Sequence, residues 1–134
     1  MKDLQQRVEK MLQGEKKRKE VARKWLEEVE RIVAKVGKNI WGDERDGVRS
    51  DPIFLWTEEN GKRRTSDVYL RYRDSGYREI YYWDEPVGEK SGTDFWYAIR
   101  QTLEWLPLLQ KEIEERETSR NRLVEKLSRM LDAV

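Results

Sequence analysis

Residues 2–36, KDLQQRVEKMLQGEKKRKEVARKWLEEVERIVAKV, contain no Pro and a single Gly, and Glu, Lys, Arg and Leu predominate. Intrinsic preference and periodicity both predict one long helix here, with Gly37 as its C-terminal stop. Steps of four and three residues visit Leu4, Val8, Met11, Glu15, Arg18, Ala22, Trp25, Val29, Ile32 and Val36, eight of them apolar. A helix patterned in this way buries a seam.

A matching seam stands at the other end of the chain. From Thr93, read as an N-cap with Asp94 in the first turn, helical character runs close to Val134. Pro107 predicts either a kink or a second helix starting with Pro at its first position. The same stepping visits Ile99, Leu103, Leu106, Gln110, Ile113, Glu117, Arg120, Val124, Leu127 and Leu131. Laid antiparallel with residue numbers summing to 135, Leu4 faces Leu131, Val8 faces Leu127, Met11 faces Val124, Val29 faces Leu106 and Val36 faces Ile99. Glu15 then meets Arg120 and Arg18 meets Glu117, so four charges that interrupt separate seams form two complementary pairs. A slide by one heptad strands those charges at a cost of several kcal/mol, so the layer fixes the register. The competing readings leave these charges in water, or take Gly14 and residues 118–121, at the same height, as a hinge or a shared interruption.

The expected architecture is therefore α+β: two long terminal helices packed as an antiparallel coiled-coil stalk, with a central antiparallel β-meander head. The chain reads as a single domain, 1–134, divided into an N-terminal helix (1–37), a β-rich head (38–92) and a C-terminal helix (93–134). Leu12, Leu26, Val33, Leu109, Leu123 and Met130 flank the seams. They predict either a homodimer, parallel or antiparallel, that closes a four-helix bundle, or a head folded back over them.

In the head, Ile53–Glu58 and the residues from Arg63 onward flank Asn60-Gly61, the signature of a type I′ hairpin. Residues 67–73 and 77–83 flank Asp74, Ser75 and Gly76, and pairing 73 with 77 places Val68 by Tyr82, Leu70 by Ile80 and Arg71 by Glu79. Alternation assigns Ile53, Leu55, Val68, Leu70, Tyr72, Ile80 and Tyr82 to the core face. The opposite face carries Phe54, Trp56, Tyr69, Arg71, Arg73, Tyr77, Glu79, Tyr81 and Trp83. Rings interleaved with Arg are the composition of interaction hot spots and of base-stacking sheets, so Trp56, Tyr69, Arg71, Arg73, Tyr77, Tyr81 and Trp83 are the candidate binding residues. The alternative is that residues 38–52, with Ile40 and Trp41, cover this face.

Composition narrows the chemistry. With 41% charged and 37% apolar residues the core is thin for 134 residues, and with no Cys and no His the chain has no disulfide, thiol, imidazole or Ser-His-Asp chemistry. Abundant Glu, Lys and Arg with few Asn and Gln suggest a thermophilic source. The start MKDLQQRVEK lacks the pattern of a signal peptide and no apolar run is long enough to span a bilayer, which predicts a soluble, cytoplasmic protein without a membrane partner. Net charge is +1, so any polyanion-binding patch is local. Residues 1–36 carry 11 basic against 7 acidic residues, with the strongest basic cluster at Lys16–Lys24, whereas 37–92 carry 10 against 12. Charge runs of this kind on long helices are commonly solvated faces.

Residues 43–51, DERDGVRSD, gather four carboxylates, but Arg45 occupies the third position, where an EF-hand needs a ligand. Asp43, Asp46 and Asp51 with Glu79 or Lys62 would suit a metal-dependent nuclease, yet nothing in their spacing forces convergence. No Gly-rich phosphate loop is present. No family signature is met, and no catalytic residue, metal ligand or cofactor is assigned. The sequence points to a non-enzymatic assembly or regulatory protein that binds a macromolecule, a protein first, through the aromatic face. Nucleic acid held by that face and the Lys16–Lys24 stripe is the second reading, and a metal-dependent hydrolase the third.

Overall fold

The structure is a computed structural model that describes residues 1–40, 52–73 and 76–134, with 38–40, 72, 73 and 76–78 described through the backbone. Helix α1 (Lys2–Ile40) is followed by strands β1 (Ile53–Glu59), β2 (Lys62–Arg73), β3 (Gly76–Tyr82) and β4 (Glu85–Pro86), a 3-10 turn (Val87–Glu89) and helix α2 (Gly92–Asp132). The strands form one antiparallel sheet in the order β1-β2-β3-β4, and the class is α+β as the sequence predicts.

The hairpins follow their turn chemistry. Glu59 pairs with Lys62, and Asn60 (φ 51°) and Gly61 (φ 75°) take the two left-handed positions between them. In the second hairpin Val68 pairs with Tyr82, Leu70 with Ile80 and Arg71 with Glu79, the expected register. Nearer the turn it slips by one: Tyr72 pairs with Tyr77 and Arg73 with Gly76. Arg78 is the extra residue, a β-bulge that sequence alternation does not reveal. A larger irregularity lies in the first hairpin, where Phe54 pairs with Tyr69 but Trp56 pairs with Thr65. Leu55 alone therefore stands opposite Ser66, Asp67 and Val68, and the Ser66 hydroxyl donates to the Val68 carbonyl at 2.6 Å within the loop-out.

One core joins the sheet and both helices. Leu55, Val68, Leu70 and Ile80 from the sheet meet Leu26, Val29 and Val33 of α1 and Phe95, Ile99, Trp105 and Leu109 of α2, with Val87 between them. α1 packs chiefly on β3, while α2 lies against β1 and β2.

This packing replaces the expected stalk. The helices meet each other over a short stretch, and the Glu15 carboxylate there accepts a hydrogen bond from the Trp96 indole N–H near the start of α2. Arg120 lies 24 residues further along α2, about 36 Å at 1.5 Å per residue. The pairs Glu15–Arg120 and Arg18–Glu117 are therefore not formed within the chain, and Arg18 binds Glu15 of its own helix at 3.4 Å instead. The cause is geometric. α1 buries Ala22, Leu26, Val29, Val33 and Gly37, and α2 buries Phe95, Ala98, Ile99, Thr102, Trp105 and Leu109. These stripes keep much the same four-three spacing as the heptad seams but are rotated from them by about one residue, which turns the covered face of each helix to the sheet rather than to the other helix. Ile32 and Leu103, placed in the seam by heptad stepping, are left half exposed. Of the flanking residues, Leu26, Val33 and Leu109 are covered by the sheet layer, the second of the two alternatives, while Leu12, Leu123 and Met130 are exposed.

Helix boundaries also move. α1 runs through Gly37, which stays helical and buried, so its small size serves packing rather than termination. Ser91, not Thr93, is the N-cap of α2, and its carbonyl accepts the Phe95 N–H at 3.3 Å. α2 passes unbroken through Pro107, which leaves the Leu103 carbonyl without its helical donor on a residue about half exposed.

Candidate functional site

The sheet face turned away from both helices carries an aromatic row. The ladder sets Phe54 opposite Tyr69 and Tyr69 opposite Tyr81, and the rings follow at centroid distances of 4.7 Å and 5.6 Å. The Arg71 guanidinium stands 5.3 Å over the Tyr81 ring. Tyr81 is 7% exposed although it lies outside the core cluster, so it is the floor of this surface. Phe54, 45% exposed, and the half-buried Tyr69 form its wall. Burial pushes the Tyr69 phenol above its ordinary value, which keeps it the donor to the Trp83 carbonyl.

Trp83 meets this row through its backbone rather than its ring. It has φ 58° and turns the chain from β3 into β4, where Tyr82 pairs with Glu85. A left-handed Trp costs on the order of 1 kcal/mol. It is held there by the Tyr69 hydroxyl on its carbonyl and by the Asp67 carbonyl, which accepts its N–H at 3.5 Å. Its ring is thrown outward, 65% exposed, and lies 6.2 Å from Tyr82.

Trp56 is set apart from the row. Past the looped-out stretch its ring lies beneath the Arg63 guanidinium at 4.2 Å, with the Lys111 ammonium of α2 at 6.0 Å. Cation-π pairs of this kind contribute about 0.5–1 kcal/mol where exposed. Of the seven residues read from the sequence, Tyr69, Arg71 and Tyr81 are thus assembled, Trp83 adjoins them, and Trp56 forms a second aromatic-cation pair. Arg73 and Tyr77 are placed by their backbones at the far end of the β2–β3 ladder, and their side chains lie outside the described residues. So do Trp41, the side chain of Ile40 and the carboxylates Asp43, Asp46 and Asp51. Lys62 and Glu79, offered with those carboxylates, do not converge. Lys62 is at the β1–β2 turn, while Glu79 pairs with Arg71 nine residues further along β2, roughly 30 Å at 3.3 Å per residue. Among the described residues no cluster of three metal-ligating side chains occurs, and no helix is long and apolar enough to cross a membrane.

Two features escaped the sequence. A cleft of about 370 Å³ opens between the first hairpin and α2, lined by Thr57, Arg64, Asp67, Tyr97, Glu104 and Trp105 among others. Trp105 is buried and its indole N–H has no partner. The cleft is bordered by residues 66–68, where β2 loops out, an irregularity with no signal in the alternation. The second is Glu30, against β3. Burial, with Glu79 nearby as a second carboxylate, pushes its pKa to about 7 despite the Ile80 backbone N–H beside it.

Comparison of the chain with protein-family models, curated proteins and solved structures finds no match.

Proposed function

We propose that the protein is a non-enzymatic interaction module that docks a protein partner on the outer face of its sheet. The observation that carries this reading is the continuous row Phe54–Tyr69–Tyr81 with Arg71 over the Tyr81 ring; the exposed Trp83 is tied to the row through its carbonyl. Large rings held in place by neighbours lose little side-chain entropy on binding, and ring-plus-Arg clusters supply most of the energy at protein interfaces. Arg71 within the row suits a segment that offers apolar side chains flanked by a carboxylate.

A protein suits this surface better than a nucleic acid. The Lys16–Lys24 stripe belongs to α1, on the helix-covered side of the sheet, and Arg23 is already engaged with the Gly88 carbonyl at 2.6 Å and over the Phe95 ring at 4.9 Å. A strand stacked on the rings would be separated from that stripe by the sheet, and the head itself has an acidic surplus. The test uses three exposed substitutions, Phe54→Ala, Arg71→Ala and Trp83→Ala, and leaves the buried Tyr81 intact. The expected result is loss of partner capture with unchanged helicity and melting temperature; capture that survives all three overturns the proposal. A gel-shift titration with DNA and RNA at two salt concentrations is expected to show no complex, and a salt-sensitive shift would favour the nucleic-acid reading.

A further inference from the structure

The two segments of the sequence that match best in a coiled-coil register are the two whose apolar stripes stay exposed in the fold. On α1 the stripe Leu4, Val8, Met11 and on α2 the stripe Val124, Leu127, Leu131 are between 41% and 75% exposed. Both keep the alternating four-three spacing of a supercoiled seam. Each arm spans about 18 residues, 4–21 and 114–131, or about 27 Å. Exposed apolar stripes of this length on both ends of one chain call for cover.

They do not cover each other within one chain. Glu15 is fixed beside Trp96, so Met11, four residues away, stays close to the start of α2. Val124 lies 28 residues beyond Trp96, about 42 Å along that helix.

We infer that the α1 arm of one copy pairs antiparallel with the α2 arm of a second copy, in the register whose residue numbers sum to 135. The occupant is a second copy because the complement of each stripe is present in every chain. Leu4 meets Leu131, Val8 meets Leu127, Met11 meets Val124 and Leu12 meets Leu123. The charged layer that stays unmade inside the chain is completed across the contact: Glu15 and Arg18 of one copy stand against Arg120 and Glu117 of the other. Glu15 keeps its bond to Trp96 while its other face meets the guanidinium. Two reciprocal contacts close a two-fold dimer, and one contact per copy propagates an open chain.

The absence of cysteine from the chain makes the test direct. Met11→Cys and Val124→Cys are introduced into separate, differently tagged chains, which are mixed and oxidised. Because both positions are more than half exposed, the substitutions leave the core untouched. The expected product is a disulfide between the two tags, formed much faster than with a control cysteine at the distant, exposed Lys62. The wild type is expected to show by light scattering a mass at least twice the 16.3 kDa of one chain. Leu4→Asp with Met11→Asp, or Val124→Asp with Leu127→Asp, should each return it to 16.3 kDa without loss of melting temperature. A doubly substituted chain that closes on itself, a mixture that does not cross-link above the control, or a wild type that is monomeric at high micromolar concentration each overturns the inference. Sheet-face variants leave the mass unchanged, so this result is separate from that of the docking face.

Discussion

Replacing Glu30 by Gln should stabilise the protein at alkaline pH and leave it nearly unchanged in acid. Glu30 lies on α1 against β3, where burial and then the charge of Glu79 raise its pKa from 4.5 to about 7. Between those values the folded protein holds a proton that the unfolded chain has released, so stability falls as pH rises through this window and the full penalty is present above pH 7. At about 1.4 kcal/mol per pH unit the shift corresponds to roughly 3 kcal/mol. Because Glu30 is partly exposed, solvent screening brings the expected effect to about 2 kcal/mol. Gln keeps the volume and an acceptor for the Ile80 N–H but has no proton to lose. Urea unfolding followed by far-ultraviolet circular dichroism at pH 4.5, 6 and 8 reads the difference, and titrating groups that do not interact with Glu30 cancel between the two proteins. The variant should gain about 2 kcal/mol over the wild type at pH 8 and agree within about 0.5 kcal/mol at pH 4.5. Parallel pH profiles, or a variant less stable at pH 8, would refute the burial of this carboxyl.

Tyr81→Ala should cost about 3 kcal/mol in the same assay, as for other buried rings, whereas Trp83→Ala should cost under about 1 kcal/mol. Equal costs would mean that the row has no floor. Tyr69→Phe removes the hydroxyl that holds the Trp83 carbonyl, for a loss of about 1 kcal/mol and a change in the near-ultraviolet dichroism of the tryptophans. Gly61→Ala has no neighbour to strike but must adopt φ 75°, so about 1 kcal/mol of strain is expected in urea unfolding, and a neutral result would exclude the type I′ turn. Pro107→Ala should raise stability by about 1–3 kcal/mol by restoring the N–H for Leu103, read from the urea midpoint.

Elements governed by local chemistry were legible in the sequence. Both long helices, the Asn60-Gly61 hairpin and the pairing of Val68 with Tyr82 and Leu70 with Ile80 follow from propensity, turn residues and alternation. The aromatic row was legible because a two-residue period specifies a face wherever the ladder is regular, as at Phe54, Tyr69 and Tyr81. It misplaced Trp56, because the looped-out residues 66–68 break the period on the facing strand. Helix pairing was not legible for a different reason. A stripe at four-three spacing reports that a helix buries something, but not whether the cover is another helix or a sheet. For Leu26 and Val33 the cover is the sheet layer, and the true central stripe is rotated by about one residue from the heptad seam. The complementarity of Glu15 and Arg18 with Glu117 and Arg120 is a property of the sequence; within one chain the Glu15–Trp96 contact keeps those charges apart.

The distance between residues 11 and 124 within one chain tests this packing most directly. Paired nitroxide labels at those two positions, in a protein otherwise free of cysteine and diluted into unlabelled chains so that only intramolecular pairs contribute, give it by pulsed electron resonance. Two helices laid on the sheet with Glu15 beside Trp96 predict a separation of about 36 Å or more. A distance under about 15 Å, as side-by-side helices require, would contradict it.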